Sequence, residues 1–307
     1  HRDRGRVAVG ELQHAATAPR HVSLTKRTAD WARRGELRSV AGRRLFVYER
    51  PGEGTPLLFI HGYPSSSYDW RFVIDRLPGR PLIAFDFLGF GLSDKPGDVV
   101  YSLMLQADLA EAVADGREVD LVAHDMGSSV ATELLARDIE GSLSFALRSA
   151  LLTNASLVLE AASLTISQKA LRSRLGPVFA RLSNERSFRT QFARIFSSGH
   201  PLSAEEAADQ WSLLTHNDGN RILDKLTYYL HERITFAPRW HGALRDWPGD
   251  LSLAWARLDP ICTEAVLQAV LALRPSVPLT RFDDLAHYPQ IEDPDSVAAV
   301  IRSTAAT

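Results

Sequence analysis

Six short apolar segments recur along the chain, each ending in turn-forming residues, and they constrain the fold more than any other feature of the sequence. They lie at 44–50, 56–62, 81–87, 119–125, 149–156 and 251–259. Segments with helical periodicity separate several of them, at 66–77, 103–114, 127–137 and 263–273. Strands that alternate with helices form a mostly parallel sheet with helices on both faces. The sequence therefore predicts an α/β fold.

This alternation stops between residues 155 and 250. Helical periodicity continues there at 164–174, 185–196, 204–214 and 220–231, without a convincing strand. Because ligand sites in such sheets lie at the carboxyl ends of the strands, an all-helical insertion is expected to form a cap over the site. We predict an N-terminal arm at 1–42, a core at 43–154 and 251–307, and a cap at 155–250. The Arg-rich arm is expected to be flexible, with a helix near 28–35.

Composition and charge exclude several classes of protein. The chain has 307 residues, 45% of them hydrophobic, and a net charge of −2, so no global field favours nucleic acid or anionic lipid. No apolar run approaches the roughly 18–20 residues that span a bilayer. The single cysteine, Cys262, excludes an internal disulfide and a Cys-based zinc site. We expect a cytoplasmic monomer or homodimer with no metal, no cofactor, no nucleic-acid partner and no stable membrane insertion.

The segment VDLVAHDMG at 119–127 carries the strongest chemical signal. A predicted strand leads through small residues around Asp125 into a predicted helix, which is typical of a nucleophile elbow. A carboxylate beside a helix N-terminus stays ionised, and an ionised carboxylate can attack carbon directly. The alternative interpretation is that Asp125 only caps the helix.

Further residues follow the predicted strands in a telling order. His61, Gly62 and Tyr63 follow the strand that ends near residue 60, where a backbone N–H can serve an oxyanion hole. Asp259 ends the strand at 251–259, and His287 follows a later apolar segment. The order nucleophile, acid, histidine is that of α/β-hydrolases. We therefore predict an α/β-hydrolase fold, a mostly parallel sheet flanked by helices with an inserted helical cap.

With these residues in view, the sequence resembles the α/β-hydrolase branch that has an aspartate nucleophile and contains epoxide hydrolases and haloalkane dehalogenases. The resemblance covers about 43–303 and is carried by HGYPSSSYDWR, DFLGFGLSDKP, AHDMG, LDP and HYPQIEDP. Within this branch, HGYPSSSYDW, DFLGFGLSDKP, NDGN and HYPQIEDP are most similar to the mesoderm-specific-transcript group. That similarity supplies no natural reaction.

The resemblance implies a two-step reaction on a small apolar electrophile. Asp125 attacks an sp³ carbon and forms an alkyl-enzyme ester, and His287, oriented by Asp259, then activates the water that hydrolyses the ester. The backbone N–H groups of Tyr63 and Met126 stabilise the oxyanion, an effect worth about 3–4 kcal/mol per donor in a protease.

An epoxide substrate opens to an alkoxide and needs a proton donor, which cap tyrosines supply in epoxide hydrolases. Tyr229 is the better match to this donor, and Tyr228 lies beside it. We predict both tyrosines, together with Trp211 and His61, as substrate-binding residues. Epoxide hydrolases usually present two cap tyrosines from separate segments, whereas 155–227 contains none.

A halide leaving group needs N–H donors instead. Haloalkane dehalogenases usually carry Trp after the nucleophile and often Asn after the His-Gly pair, and here those positions hold Met126 and Tyr63. The missing halide donors count against dehalogenation more than the missing second cap tyrosine counts against epoxide opening. We therefore favour epoxide hydrolysis to a diol over dehalogenation. Esterase chemistry is disfavoured because the elbow lacks Ser. A binding protein that uses the fold as a ligand cage is the alternative of another class.

Overall fold

The strands form one sheet in the computed structural model, which describes residues 23–157 and 166–304. The eight strands are β1 (Glu36–Val40), β2 (Arg43–Arg50), β3 (Leu57–Ile60), β4 (Leu82–Phe85), β5 (Val119–His124), β6 (Leu147–Thr153), β7 (Asp250–Ala256) and β8 (Leu279–Phe282). Their order across the sheet is β1-β2-β4-β3-β5-β6-β7-β8. Strand β2 runs antiparallel to β1 and β4, and all other neighbours are parallel. The predicted α/β fold with a mostly parallel sheet is confirmed.

Helices occupy most of the chain between the strands. The core helices are α1 (Lys26–Ala32), α2 (Arg71–Asp75), α3 (Leu103–Ala114), α4 (Met126–Ile139), α11 (Ala237–Asp246), α12 (Glu264–Leu273), α13 (Pro289–Glu292) and α14 (Pro294–Thr304). Between β6 and α11 lie α5 (Ile166–Leu171), α6 (Gly176–Leu182), α7 (Glu185–Phe192), α8 (Ala204–Thr215), α9 (Leu223–Leu226) and α10 (Tyr229–Thr235). No helix of the described residues is long and apolar enough to cross a bilayer.

The strands bury alternate side chains on opposite faces of the sheet. Leu58 and Ile60 of β3 belong to a cluster with α3, α4, α11 and α12. Leu57 and Phe59 of the same strand belong to a second cluster with α1, α2 and α14. Because both faces are covered, the central strands read in the sequence as continuous apolar runs.

The sheet begins earlier than predicted. Strand β1 lies inside the predicted arm and pairs with β2 through a turn with positive φ at Ala41 and Gly42. Only Val40 of β1 is buried, because β1 is an edge strand, and an edge strand of this kind shows no apolar run. The sheet therefore begins at Glu36 rather than at residue 43, and the core also includes α1, which lies near the helix predicted at 28–35. Residues 1–22 of the predicted arm lie outside the described residues.

The predicted helical insertion is confirmed, since the described residues between β6 and β7 contain helices and no strand, but its last helix lies on the core. Helix α11 packs on the core helix α4, where Trp240 Nε1 donates to Glu133 at 2.9 Å. We therefore call residues 166–235 the cap. The continuous helix predicted at 220–231 is instead the two short helices α9 and α10, preceded by a kink with positive φ at Asn217 and Asp218.

A buried polar network joins the cap to the core. The Tyr68 hydroxyl donates to Asp209 of α8 at 2.7 Å, and Gln210 Nε2 donates to Asp69 at 2.8 Å. Arg71 forms an ion pair with Glu206 of the same cap helix. Burial raises the pKa of Asp69 to about 7. These contacts fix α8 above the carboxyl edge of the sheet.

Candidate active site

Asp125 occupies a strained turn between β5 and α4. Its φ of 47° and ψ of −117° are unusual for a residue with a side chain. The neighbours must be small, since a Cβ on Gly62 would lie 2.8 Å from Asp125 Cβ and one on Gly127 would lie 2.4 Å from the His61 carbonyl oxygen. The Asp125 side chain makes no capping hydrogen bond to α4, although it holds the N-cap position. The turn therefore presents this carboxylate instead of using it as a helix cap.

The two oxygens of the Asp125 carboxylate have different surroundings. Oδ2 accepts a hydrogen bond from the Tyr63 backbone N–H at 3.0 Å. Oδ1 lies 3.8 Å from Nη2 of Arg233. Met126 is the first residue of α4, so its N–H lies at the positive end of the helix dipole. One oxygen is thus held by the loop after β3, while the other faces a cation of the cap.

His287 and Asp259 form a buried pair at the same edge of the sheet. Nδ1 of His287 lies 2.8 Å from Asp259 Oδ2. Asp259 Oδ1 accepts the backbone N–H groups of Ile261 and Cys262 at 2.7 and 3.0 Å. These bonds fix the acid and orient the imidazole.

The pKa shifts of this pair favour the ionised forms. Burial by itself raises the pKa of Asp259, but the His287 charge and the hydrogen bonds lower it below its ordinary value. Burial by itself lowers the pKa of His287, but the charge and hydrogen bond of Asp259, together with the Asp125 charge, raise it above 6.5. The imidazole is therefore suited to accept a proton in this site.

Asn154, which the sequence analysis did not single out, supports Asp259 from the end of β6. Its Nδ2 donates to Asp259 Oδ2 at 2.6 Å, and its Oδ1 accepts the Ala256 N–H at 3.0 Å. Its φ is +44°, which Asn tolerates better than most residues. The available sequence signal is its position at the carboxyl edge, directly after the apolar run that forms β6.

Two buried histidines hydrogen-bond to backbone groups of the loops that form the site. His124 has its Nε2 2.7 Å from the His287 carbonyl oxygen and its Nδ1 3.2 Å from Gln290 Nε2. His61 accepts the Phe87 N–H at 3.0 Å through Nε2, and its Nδ1 lies 2.8 Å from the Gly62 carbonyl oxygen. Burial lowers the pKa of each to about 4. His61, predicted to bind substrate, therefore supports the loop that carries Tyr63.

The predicted cap residues occupy three different environments. Tyr229 is buried, its ring lies 5.4 Å from the Tyr63 ring, and its hydroxyl oxygen accepts from Gln168 at 2.9 Å. Tyr228 is 41% exposed on the cap surface, away from this cluster. Trp211 is buried and lines the cavity described next. The structure thus brings Tyr229 to the site, places Trp211 at the cavity and leaves Tyr228 outside.

A cavity of about 530 Å³ lies between the cap and the core. Tyr63 and Gln168 form part of its wall beside Tyr229. The remaining lining is mainly apolar and includes Leu171, Phe179, Leu182, Phe188, Trp211 and Leu223. Asp125 is not among the lining residues and is 4% exposed, so its carboxylate lies behind Tyr63. The mainly apolar lining suits an apolar molecule.

Arg233 is the main site residue that the sequence analysis missed. It is buried, and it donates through Nε to Ser129 Oγ at 2.9 Å and through Nη1 to Ser156 Oγ at 2.7 Å. Nη2, the atom that faces Asp125, has no hydrogen-bond partner among the described residues. The guanidinium lies over the Tyr229 ring, 4.7 Å from its centre. The i, i+4 spacing of Tyr229 and Arg233 on α10 was the available signal, since it places both on one helix face.

Asp259, Cys262 and His287 also offer atoms of metal-ligating types within 4.8 Å of one another. Asp259 and His287 already bond to each other, and Cys262 Sγ contacts the Asn154 carbonyl oxygen at 2.9 Å. Hydrogen bonds therefore account for this cluster.

The sheet order, the elbow and the His–Asp pair are those of one large class of proteins, and comparison with known proteins agrees. Residues 57–300 match the alpha/beta hydrolase family. The chain belongs to this family.

Particular relatives define its neighbourhood more closely. LipZ of Mycobacterium tuberculosis is 51% identical over 272 residues, which cover 88% of this chain and 94% of LipZ. The mesoderm-specific transcript protein of Mus musculus is 33% identical over 279 residues, 86% of this chain and 83% of that protein. The predicted similarity to the mesoderm-specific-transcript group is thus confirmed, although LipZ has the higher identity.

Solved structures agree on the fold. The haloalkane dehalogenase DatA from Agrobacterium tumefaciens C58 superposes with a TM-score of 0.72 at 22% identity, covering 88% of this chain and 95% of DatA. A mutant form of the meta-cleavage product hydrolase CumD gives 0.73 at 18% identity, covering 89% and 98%. At such identities the likeness extends to the fold alone.

Proposed function

We propose that this chain is a cofactor-free hydrolase that uses Asp125 to form an alkyl-enzyme ester with a small apolar electrophile. The observation that carries the proposal is the placement of the Asp125 carboxylate. It stands on a strained elbow, with Oδ2 held by the Tyr63 N–H and Oδ1 directed toward an unpartnered N–H of Arg233.

In the first step, Asp125 Oδ1 attacks an electrophilic sp³ carbon. The new C–O bond forms as the bond from carbon to the leaving group breaks, and the leaving group takes the electron pair. Oδ2 becomes the ester carbonyl oxygen and stays bonded to the Tyr63 N–H. The negative charge that develops on the leaving group is stabilised by Arg233 Nη2, because a buried cationic donor stabilises charge more strongly than water does.

In the second step, His287 accepts a proton from a water molecule whose oxygen attacks the carboxyl carbon of Asp125. The oxyanion forms on Oδ2, which the N–H groups of Tyr63 and Met126 stabilise. Collapse of this intermediate breaks the ester bond, and the leaving alkoxide takes the proton from His287. Asp125 is left as a carboxylic acid, and it loses its proton to the Tyr229 phenolate after epoxide opening, or to solvent after halide loss, which restores the carboxylate. Asp259 stabilises the imidazolium that forms between these events.

Tyr229 supports an epoxide as the electrophile and a diol as the product. Burial, followed by the charge of Asp125, raises the pKa of Tyr229 well above 10, so the hydroxyl keeps its proton. Since Gln168 donates to the hydroxyl oxygen, the O–H proton is available for the oxygen of the opening epoxide. The cation–π contact packs the Tyr229 ring against the guanidinium that faces Asp125.

Haloalkane dehalogenation is the second candidate, and one observation favours it. The unpartnered Nη2 of Arg233 can donate to a halide as well as to an alkoxide. The proposed protein is then the same hydrolase with a different leaving group.

The test is intact mass measurement of the His287→Gln protein after incubation with panels of epoxides and haloalkanes. The variant should retain a covalent adduct on Asp125, because ester formation survives while hydrolysis stalls. The matched control, Asp125→Ala/His287→Gln, should gain no mass. Diol or halide release by the unsubstituted protein then identifies the leaving group.

The opposite result favours the ligand-cage alternative. If no electrophile adds mass to the His287→Gln protein, the covalent mechanism is wrong. Retained binding of an apolar ligand by both variants would then support a binding protein.

A further inference from the structure

One part of the cap, residues 166–195, is strongly basic in a chain whose net charge is negative. It contains seven basic side chains and one acidic side chain, Glu185, which give it a net charge of +6. Because the whole chain carries −2, the remainder carries −8. This basic segment therefore lies beside the cavity, which several of its residues line.

None of the seven cations of this segment is paired with an acid in the described residues. All seven are exposed, and residues 23–157 and 166–304 place no acid in ion-pair contact with any of them: Lys169, Arg172, Arg174, Arg181, Arg186, Arg189 and Arg194. In contrast, the core arginines Arg137 and Arg239 both pair with Glu133. Exposed arginines without an acidic partner in the described part of the chain are available to an external anion.

Large apolar side chains are exposed within the same segment. Leu175, Val178, Phe179 and Leu182 are 59%, 51%, 45% and 69% exposed. Their i, i+3, i+4, i+7 spacing places them on one face of α6, while Gly176 and Ala180 on the other face are buried. A contiguous exposed apolar stripe marks a surface that contacts another apolar phase.

The cavity opens at this stripe. Phe179 and Leu182 are exposed and also line the cavity, as does Arg194. The stripe and the cavity wall thus form one apolar path from the surface to Tyr63.

We propose that the seven cations and the four apolar residues form a lipid-docking surface that binds an anionic bilayer. The apolar side chains of α6 enter the boundary between headgroups and acyl chains, and the arginines contact anionic headgroups. The cavity then faces the acyl region, so an apolar substrate enters from the bilayer. If a second copy of the chain docked symmetrically on this surface, two segments of net charge +6 would face each other and repel. This repulsion argues against a second copy as the occupant.

The first test is sedimentation of the full chain with phosphatidylcholine vesicles, with and without phosphatidylglycerol. The chain should sediment only with the anionic vesicles, and less at high salt. Each basic residue near an anionic surface is worth about fivefold in affinity. The Arg172→Gln/Arg174→Gln/Arg181→Gln protein should therefore bind about a hundredfold more weakly.

The matched control removes the same charge elsewhere on the surface, in Arg44→Gln/Arg245→Gln/Arg257→Gln, and should bind like the unsubstituted chain. Equal losses in both triple variants would overturn the proposal, because binding would then follow net charge alone. Absence of sedimentation with anionic vesicles would overturn it as well. If the chain forms a dimer in solution and the Leu182→Ser protein is monomeric, the surface binds a second copy instead of a bilayer.

The second test locates the contact. Cys262 is buried, so a cysteine introduced as Val178→Cys is the accessible thiol for an environment-sensitive dye. Its emission should shift to the blue on anionic vesicles, whereas the dye on Ser142→Cys, on another surface, should not respond. An unshifted dye at residue 178 contradicts insertion of α6. Both tests are independent of the proposed function, since neither requires turnover.

Discussion

The carboxyl edge of the sheet and the cap contribute to one site in different ways. At the edge, backbone N–H groups hold Asp125 and Asp259, and they come from loops that the strands fix. The cap residue Arg233 is instead held by side chains, because it donates to the hydroxyl oxygens of Ser129 and Ser156. A backbone donor survives substitution of its own side chain, while a side-chain donor does not. In the proposed mechanism, the edge of the sheet therefore supplies the nucleophile and its base, and the cap supplies the groups that contact the leaving group.

The largest effect tests the sheet half of this comparison. Asp125→Ala should lower turnover about 10⁴-fold or more on every substrate that the mass panel identifies, because it removes the nucleophile. Steady-state kinetics on those substrates measures it. Substantial turnover of any one substrate would show that the edge of the sheet does not carry the reaction.

The next effect tests the cap at Arg233. Arg233→Gln should slow ester formation about 10²- to 10³-fold, because the leaving group loses a cationic donor. Single-turnover mass measurements follow this step, and the loss should grow as the leaving group becomes more basic. Arg233→Lys is the control, since it keeps the charge and should recover part of the rate. A loss that is the same for all leaving groups would indicate only a structural role.

Tyr229→Phe should have a smaller and selective effect. Epoxide opening should slow about 10²-fold through loss of the proton donor, whereas halide displacement should change little. The ratio of the two rates within one variant is the measurement, and Tyr228→Phe is the matched control. Equal losses on both substrates would contradict the assignment of leaving-group choice to the cap.

The smallest expected effect concerns His124, which we expect to affect the stability of the fold rather than the reaction. Its pKa is about 4 in the folded chain and 6.5 as an ordinary value, so the unfolded chain takes up the proton first as pH falls. Stability from neutral His124 is thus present above pH 6.5 and lost as pH falls toward 4. The unsubstituted chain should therefore lose about 2 kcal/mol of unfolding free energy through His124 between about pH 7 and pH 5, and the His124→Asn protein should not. The difference in unfolding free energy between the two proteins should shrink by that amount. Urea unfolding at both values measures it, and a constant difference would mean that His124 is not held neutral.

The local pattern predicted most strands but not the edges of the sheet. β3, β4 and β5 are buried on both faces and stand out as apolar runs. β1 and β8 each bury a single side chain, Val40 and Phe282, so neither gives such a run. Their pairing partners, rather than their own composition, make them strands.

The sequence by itself determined the strand–helix alternation, the small residues around Asp125 and the chain order of Asp125, Asp259 and His287. Each of these features depends on neighbouring residues or on where a strand ends along the chain, so the linear sequence contains it. Only the tertiary structure decided that Arg233 faces Asp125, that Asn154 bonds to Asp259, and that His61 serves the backbone. Those contacts depend on how α10 packs over the edge of the sheet, because burial and partners are properties of the packed chain and not of any single segment.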